Sequence, residues 1–251
     1  MRISGQATGR LVRIDFPASG RYDGGLVKRG TRWRRQDPRG RGTAISDLTA
    51  QRLSVYLRCL DDLQRKGART VSSQALADRL HLNSAQIRKD LACFGEFGIR
   101  GIGYLVGDLR RNLTRILGLT HDRGVIIVGA GNLGMALADY GGFNREGFRI
   151  VALFDRDRRK IGAVSRGGVP VVDVRRLPAV ARRENVSIAV LAVPADAAQK
   201  AFDLAARAGI KAVLNFAPAR IKTRPGITIK GVDLKIQLEN LSFHLARSEN
   251  A

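Results

Sequence analysis

The chain has 251 residues, 44% of them hydrophobic, and carries 44 Lys/Arg against 22 Asp/Glu, a formal net charge of +22. That length accommodates one large domain or two small ones with real cores, and the charge points to a polyanionic partner. No apolar run reaches a membrane span, no signal-peptide core opens the sequence, and two cysteines with three scattered histidines give neither a disulfide framework nor zinc spacing, so a cytoplasmic protein without metal is expected.

The basic excess is spread out: +8 over residues 1–44, +5 over 45–123 and +9 over 124–251. A genomic bias toward arginine produces the same pattern, so charge alone does not establish nucleic-acid binding. Residues 1–44 repeat Gly and Arg without period and have too few apolar residues for a core, which predicts a disordered basic extension.

From Ile45 the pattern turns helical. Leu48, Leu53, Val55, Tyr56, Leu57, Leu60 and Leu63 line one broad face until Gly67 stops it. Val71 reads as extended, Ser72 as a cap, and residues to Leu80 as a short helix. After a break at His81-Leu82-Asn83 a second short helix runs from Ser84 to Phe94 with Ile87, Leu91 and Phe94 inward. Two short helices across so tight a turn form a helix-turn-helix candidate. Ser84, Gln86, Arg88 and Lys89 on the second helix are side-chain types that reach base edges and phosphates. The alternating, glycine-rich stretch 95–104 predicts a β-hairpin wing with Arg100 near its tip, suited to a minor groove. Cys93 ends the second helix without a nearby resolving cysteine and reads as a buried structural thiol. The winged-helix domain is expected over 45–105, with a linking helix over 106–123.

Val125 to Val128 is a β-branched run that breaks into Gly129-Ala130-Gly131-Asn132-Leu133-Gly134 and resumes as a helix through Tyr140. In a strand-turn-helix unit the first glycine makes the tight turn, the second admits a pyrophosphate, and the third lets helix and strand pack closely. The next apolar run ends at Asp155, 21 residues after Gly134, an acid placed for the ribose hydroxyls of NAD and repulsive to the extra phosphate of NADP. Apolar runs at 188–193 and 212–215 alternate with helices at 177–180 and 195–208, and a brief strand is expected at 168–171. This predicts an α/β fold, a Rossmann-type parallel sheet covered on both faces over 124–231. Its ligand crevice is bordered by Gly129, Val193-Pro194 and Asn215. The terminal helix, within 232–251, is apolar on more than one face (Leu234, Ile236, Leu238, Leu241, Phe243, Leu245) and suggests burial against a partner subunit.

Tyr56-Leu57-Arg58, Gln86 to Leu91, Phe94-Gly95, Arg100 to Tyr104, Gly129 to Gly134, Ala136 to Tyr140, Phe154-Asp155, Lys160-Ile161-Gly162, Val193-Pro194, Asn215 to Pro218 and Val232-Asp233 stand in one order. With these motifs the chain resembles the Rex family of redox-sensing transcriptional repressors over about residues 46–247. The resemblance implies a homodimer on double-stranded operator DNA that represses genes of respiration or fermentation and dissociates when NADH accumulates. NADH and NAD⁺ would be allosteric ligands, not substrates. It places Arg88 and Lys89 toward the major groove, Arg100 in the minor groove, Gly129 through Gly134 on the pyrophosphate, Asp155 on the adenosine ribose and Lys160 near the adenosine end. It also implies a switch made of Tyr140, Arg58 and Asp233 of the partner subunit. Leu234, beside that aspartate, stands where relatives can carry an aromatic residue.

The residues speak against three alternatives. An NAD-dependent oxidoreductase with a helical N-terminal domain needs an acid-base group at the nicotinamide, and no histidine falls at a strand carboxyl end. A Coenzyme A module does not account for an acid at Asp155. Preference for NADP through Arg156, Arg158 and Arg159 is opposed by that same acid.

Overall fold

The computed structural model describes residues 45–145 and 147–249. The basic extension expected over 1–44 lies outside the described residues. Among the described residues no helix is long and apolar enough to cross a membrane, and no His/Cys/Asp/Glu group could hold a metal ion. The chain divides into two compact units between Gly118 and Leu119.

The first unit begins with helix α1 (Asp47–Arg65), whose N-cap Ser46 side chain accepts the Thr49 amide at 3.1 Å. Strand β1 (Thr70–Val71) leads to α2 (Ser73–Leu80), capped by Ser72, and α3 (Ser84–Ala92), capped by Asn83. Each cap satisfies an amide that the first helical turn leaves unpaired. His81 ends α2 at φ 52°, the left-handed turn that stops one helix and re-aims the chain for the next. Strands β2 (Gly98–Ile99) and β3 (Gly103–Leu105) form a hairpin, and β1 pairs with β3, giving an antiparallel sheet in the order β1-β3-β2. An added Cβ at Gly103 would lie 2.6 Å from the Val71 carbonyl oxygen, so the wing approaches β1 only because that position is glycine.

Helix α4 (Val106–Ile116) stands within the span 106–123 expected to hold a linking helix. Its buried Val106, Leu109 and Leu113 belong to the core built by Leu53, Tyr56 and Leu60 of α1. Spacings of three and four place those residues on one stripe, and the stripe is used within the first unit. Leu48 and Val55 of α1, expected on its apolar face, are exposed instead.

The second unit is a six-stranded parallel sheet of β4 (Arg123–Val128), β5 (Phe148–Asp155), β6 (Val171–Asp173), β7 (Val186–Leu191), β8 (Ala212–Asn215) and β9 (Thr228–Gly231). Their order is β6-β5-β4-β7-β8-β9. Counting from β4, this is three-two-one-four-five-six, the doubly wound dinucleotide-binding order, with its switch point between β4 and β7. Alternate residues point to opposite faces. Ile126, Ala152, Phe154 and Leu191 pack with Leu177 and Val180 of α7 (Leu177–Arg183) and Phe202 of α8 (Ala195–Arg207). Val125, Ile127, Leu153 and Val190 pack with Ala138 of α5 (Asn132–Asp139) on the other face. A short α6 (Gly142–Arg145) precedes β5, and α9 (Leu234–Glu249) ends the described chain.

The strand expected at 168–171 starts only at Val171. Gly168 sits at φ 81°, and Pro170 forms an isolated antiparallel bridge with Val164, so those residues build a hairpin turn beside the sheet.

Candidate functional site

The glycine-rich turn sits at the carboxyl end of β4, at the switch point. Gly129 adopts φ 106°, and a Cβ there would collide with the Ala192 carbonyl oxygen beyond β7. A Cβ at Gly134, buried in α5, would collide with the Gly129 carbonyl oxygen. These two glycines allow turn, strand and helix to close on one another. Gly131 differs. It is the N-cap of α5, has no side chain to bond the first amides, and a Cβ there meets nothing within 4 Å. The α5 N-terminus is therefore open to an anion, with Asn132 and Leu133 exposed in its first turn.

Asp155 ends β5 beside this turn. Its Oδ2 accepts the Ala130 amide at 2.9 Å, its Oδ1 accepts the Asp157 amide at 2.9 Å, and Lys160 Nζ lies 3.3 Å from Oδ2. Burial opposes its charge, but the two amides and Lys160 together hold the carboxyl below the usual range. An ionised acid with lone pairs to spare beside an open helix N-terminus fits a nucleotide's ribose diol and pyrophosphate. Arg159, one of the three arginines that follow Asp155, is paired with Asp157 at 2.9 Å.

Val193 and Pro194 follow β7 on the crevice side of the switch point, and Pro194 caps α8. Asn215 is 6% exposed, and its amide bonds the Ala217 amide at 3.1 Å and the carbonyls of Ala217 and Ala219 at 3.0 and 3.2 Å. Its side chain shapes the loop after β8, leaving little of it for a ligand.

In the first unit Arg88 and Lys89 are exposed on α3, and Arg100 occupies the wing turn closed by the Ile102 amide on the Ile99 carbonyl at 3.0 Å. Arg88 Nη1 donates to Ser73 Oγ at 2.9 Å. Ser84 is half-buried in the first turn of α3. Gln86, expected beside a base edge, donates its amide to Asp90 Oδ1 at 2.8 Å. Cys93 is half-buried, its thiol on the Lys89 carbonyl at 3.3 Å.

Sequence reasoning missed the group around Asp90. Asp90 is 2% exposed and accepts Arg52 Nε at 2.6 Å, Arg52 Nη2 at 2.8 Å and the Tyr56 hydroxyl at 2.8 Å besides Gln86. Burial raises the Asp90 carboxyl, but these bonds outweigh it and hold the group below the ordinary carboxylate value. Burial and the bond to Asp90 push the Tyr56 hydroxyl up. A signal existed: Asp90 falls on the Ile87-Leu91-Phe94 stripe, where an acid is buried only if paired.

The three residues expected to form a switch lie on different elements. Arg58 is exposed on α1 in the first unit. Tyr140, 58% exposed, caps the end of α5 and stands edge-on to Phe143 at 5.0 Å. Asp233 precedes α9 and its Oδ1 accepts the Lys235 amide at 2.9 Å.

Comparison with known proteins adds to this geometry. A family model for a CoA binding domain matches residues 120–219, and one for a DNA-binding protein N-terminus matches residues 44–92. The chain is 46% identical over 201 residues to the redox-sensing transcriptional repressor Rex of Desulfitobacterium hafniense, covering 80% of this chain and 95% of that protein. It is 44% identical over 210 residues to the protein of the same name in Streptomyces coelicolor, covering 84% and 81%. Among solved structures it is similar to RSP, a Rex-family repressor. The complex of RSP with β-NAD⁺ and operator DNA matches with a TM-score of 0.78 at 38% identity, covering 82% of this chain and 95% of that one. The complex with β-NADH matches with a TM-score of 0.74 at 37% identity, covering 82% and 97%.

Proposed function

The chain belongs to the Rex family of redox-sensing transcriptional repressors, and from that premise we propose how its own residues carry out redox-gated repression as a cytoplasmic homodimer. It is a regulator and not an enzyme, sensing NADH against NAD⁺. The observation that carries the residue assignment is the uncapped N-terminus of α5 beside the ionised Asp155, at the switch point of a three-two-one-four-five-six sheet.

The residues divide the work between the two units. The amides of the turn 129–134 face the pyrophosphate, Asp155 accepts the adenosine ribose hydroxyls, and Lys160 lies toward the adenosine end. Val193, Pro194 and the loop ordered by Asn215 line the nicotinamide side. Arg88 and Lys89 read the major groove and Arg100 enters the minor groove, with Ser84 at the N-terminus of α3 facing the phosphate backbone. Gln86 supports α3 through Asp90.

The nucleotide contributes the signal, a nicotinamide ring that is positive when oxidised and neutral when reduced. Tyr140, exposed at the end of α5, senses the ring, and Arg58 with Asp233 of the partner subunit passes the result to the DNA-binding unit. Linkage sets the rest: the dimer that releases DNA must bind NADH more tightly than the dimer that holds DNA, by the factor by which NADH weakens DNA binding. Helix α9 provides the dimer contact. Leu234, Ile236, Leu238, Leu241, Phe243 and Leu245 are 57–66% exposed in the single chain, an apolar surface that calls for a partner.

The test is fluorescence anisotropy of a labelled palindromic operator with the full chain, titrated with NADH and separately with NAD⁺. Release by NADH at concentrations where NAD⁺ does little supports the reading. DNA binding indifferent to both nucleotides would sink it.

A further inference from the structure

We propose that Asp90 is a positioning residue that locks the recognition helix α3 to α1, so that a displacement of α1 at Arg58 moves α3 with it. This rests on the redox-switch reading above.

The geometry is that of a clamp. One carboxylate on α3 takes four hydrogen bonds, three of them from α1: two from the Arg52 guanidinium and one from the Tyr56 hydroxyl, at 2.6–2.8 Å. The fourth, from Gln86 one turn back on α3, fixes the rotamer of the carboxylate itself. The Arg52 fork is bidentate, which constrains angle as well as distance. Asp90 is 2% exposed and Tyr56 fully buried, so this end of the clamp is screened from solvent, while the Arg52 side chain keeps 26% of its surface exposed. Sliding α3 along α1 would leave a buried charge without its partners, a strongly disfavoured state.

Arg52 and Tyr56 are four residues apart and share one face of α1. Arg58 follows Tyr56 by two residues, about 200° around the helix, and is exposed. The same helix thus presents the clamp on one side and the switch arginine on the other. Over 19 residues a continuously hydrogen-bonded α-helix moves as one body. Without the clamp, motion imposed at Arg58 would be taken up by slippage between α1 and α3. The role of Gln86 follows: with its amide donors turned onto Asp90, it orients the helix that carries Arg88 and Lys89.

The test uses the full-length dimer and measures operator affinity with and without saturating NADH, beside NADH affinity by fluorescence. The quantity of interest is the ratio of the two operator Kd values. For Asp90→Asn and for the milder Tyr56→Phe the ratio is expected to fall at least about threefold below the wild-type coupling factor, with NADH affinity unchanged. Should Asp90→Asn not fold, as judged by circular dichroism, Tyr56→Phe, which deletes one bond of four, still decides. A variant that loses operator affinity equally in both states and keeps the wild-type ratio overturns the proposal, because Asp90 then only stabilises its unit. A wild-type ratio near one removes the redox reading and the proposal with it.

Discussion

The Ala130 amide donates to Asp155 Oδ2 at 2.9 Å across 25 residues of sequence, joining the glycine-rich turn to the acid that ends the neighbouring strand. The acid therefore has two duties, holding the turn and facing the ribose. Asp155→Asn keeps the size of the side chain but removes the charge. NADH affinity is expected to fall about tenfold to a hundredfold, the value of a charge-assisted hydrogen bond of roughly 1.5–3 kcal/mol. Operator binding without nucleotide should stay as in the wild type. A titration of intrinsic fluorescence with NADH, beside operator anisotropy, checks both.

The glycines of the turn separate packing from ligand approach. Gly134→Ala places a methyl group against the Gly129 carbonyl oxygen, and loss of thermal stability in the second unit by at least about 1–3 kcal/mol is expected from overpacking. Gly131→Ala meets nothing within 4 Å of the chain. It should melt like the wild type yet bind NADH markedly more weakly, because the methyl takes the space through which a pyrophosphate approaches. Equal NADH affinity in Gly131→Ala and wild type would move the pyrophosphate elsewhere.

Much of this was legible in the sequence because the informative residues are local. Val125 to Gly134 announces a strand, a turn and a helix within ten residues, and β5 ends at Asp155 where the fingerprint asks for an acid. Strand β9 was not legible: Thr228-Ile229-Lys230-Gly231 pairs only with β8, at the sheet edge, and buries little of its surface, so it carries no apolar run. The ownership of α4 was hidden for another reason. Its stripe shows that one face is buried, and only the tertiary fold shows in which core. Strand β8 ends at Asn215, as its apolar run indicates. What the Asn215 side chain bonds depends on the backbone of 217–219, which spacing does not reveal.

The Asp90 network also sets an acid response. The folded carboxyl lies below the ordinary aspartate value, because burial opposes the charge but the bonds from Arg52, Tyr56 and Gln86 outweigh it. A depressed folded pKa means the network's stabilisation is present above the unfolded pKa and is lost as pH falls through the folded one. Unfolding of the first unit should therefore become easier below about pH 4. Asp90→Ala at neutral pH leaves Arg52 and Tyr56 facing a gap and should cost about 3–5 kcal/mol. Thermal melts from pH 7 to pH 3 check the acid response. A wild-type chain whose first transition ignores acid over that range would contradict it.

Helix α9 tests the dimer. Leu238 and Leu241 are 66% and 60% exposed in the single chain, and they lie within one helical turn of each other. Leu238→Glu with Leu241→Glu should shift the particle from dimer to monomer in sedimentation velocity without unfolding the sheet, because neither residue belongs to either core cluster of the second unit. Operator affinity should fall by orders of magnitude, since each monomer then reaches one half-site alone. A double variant that remains dimeric would place the subunit contact on another surface.

Arg88 is placed to set sequence specificity. Its guanidinium is exposed on α3 and rests on Ser73 Oγ at 2.9 Å, a contact that pre-orders a long side chain and lowers the entropy it loses on meeting a base. An arginine reading guanine through O6 and N7 contributes about 1–3 kcal/mol of discrimination at one base pair. Arg88→Ala should therefore relax preference at a single position of each half-site, and Ser73→Ala should weaken the same preference by less. Arg100→Ala should instead reduce affinity across A·T-rich variants of the site, as expected of an arginine held by minor-groove potential. Competition anisotropy over a panel of single-base operator variants distinguishes the two. A uniform loss across the panel for Arg88→Ala would show that this residue holds phosphate, and base reading would then fall to Lys89.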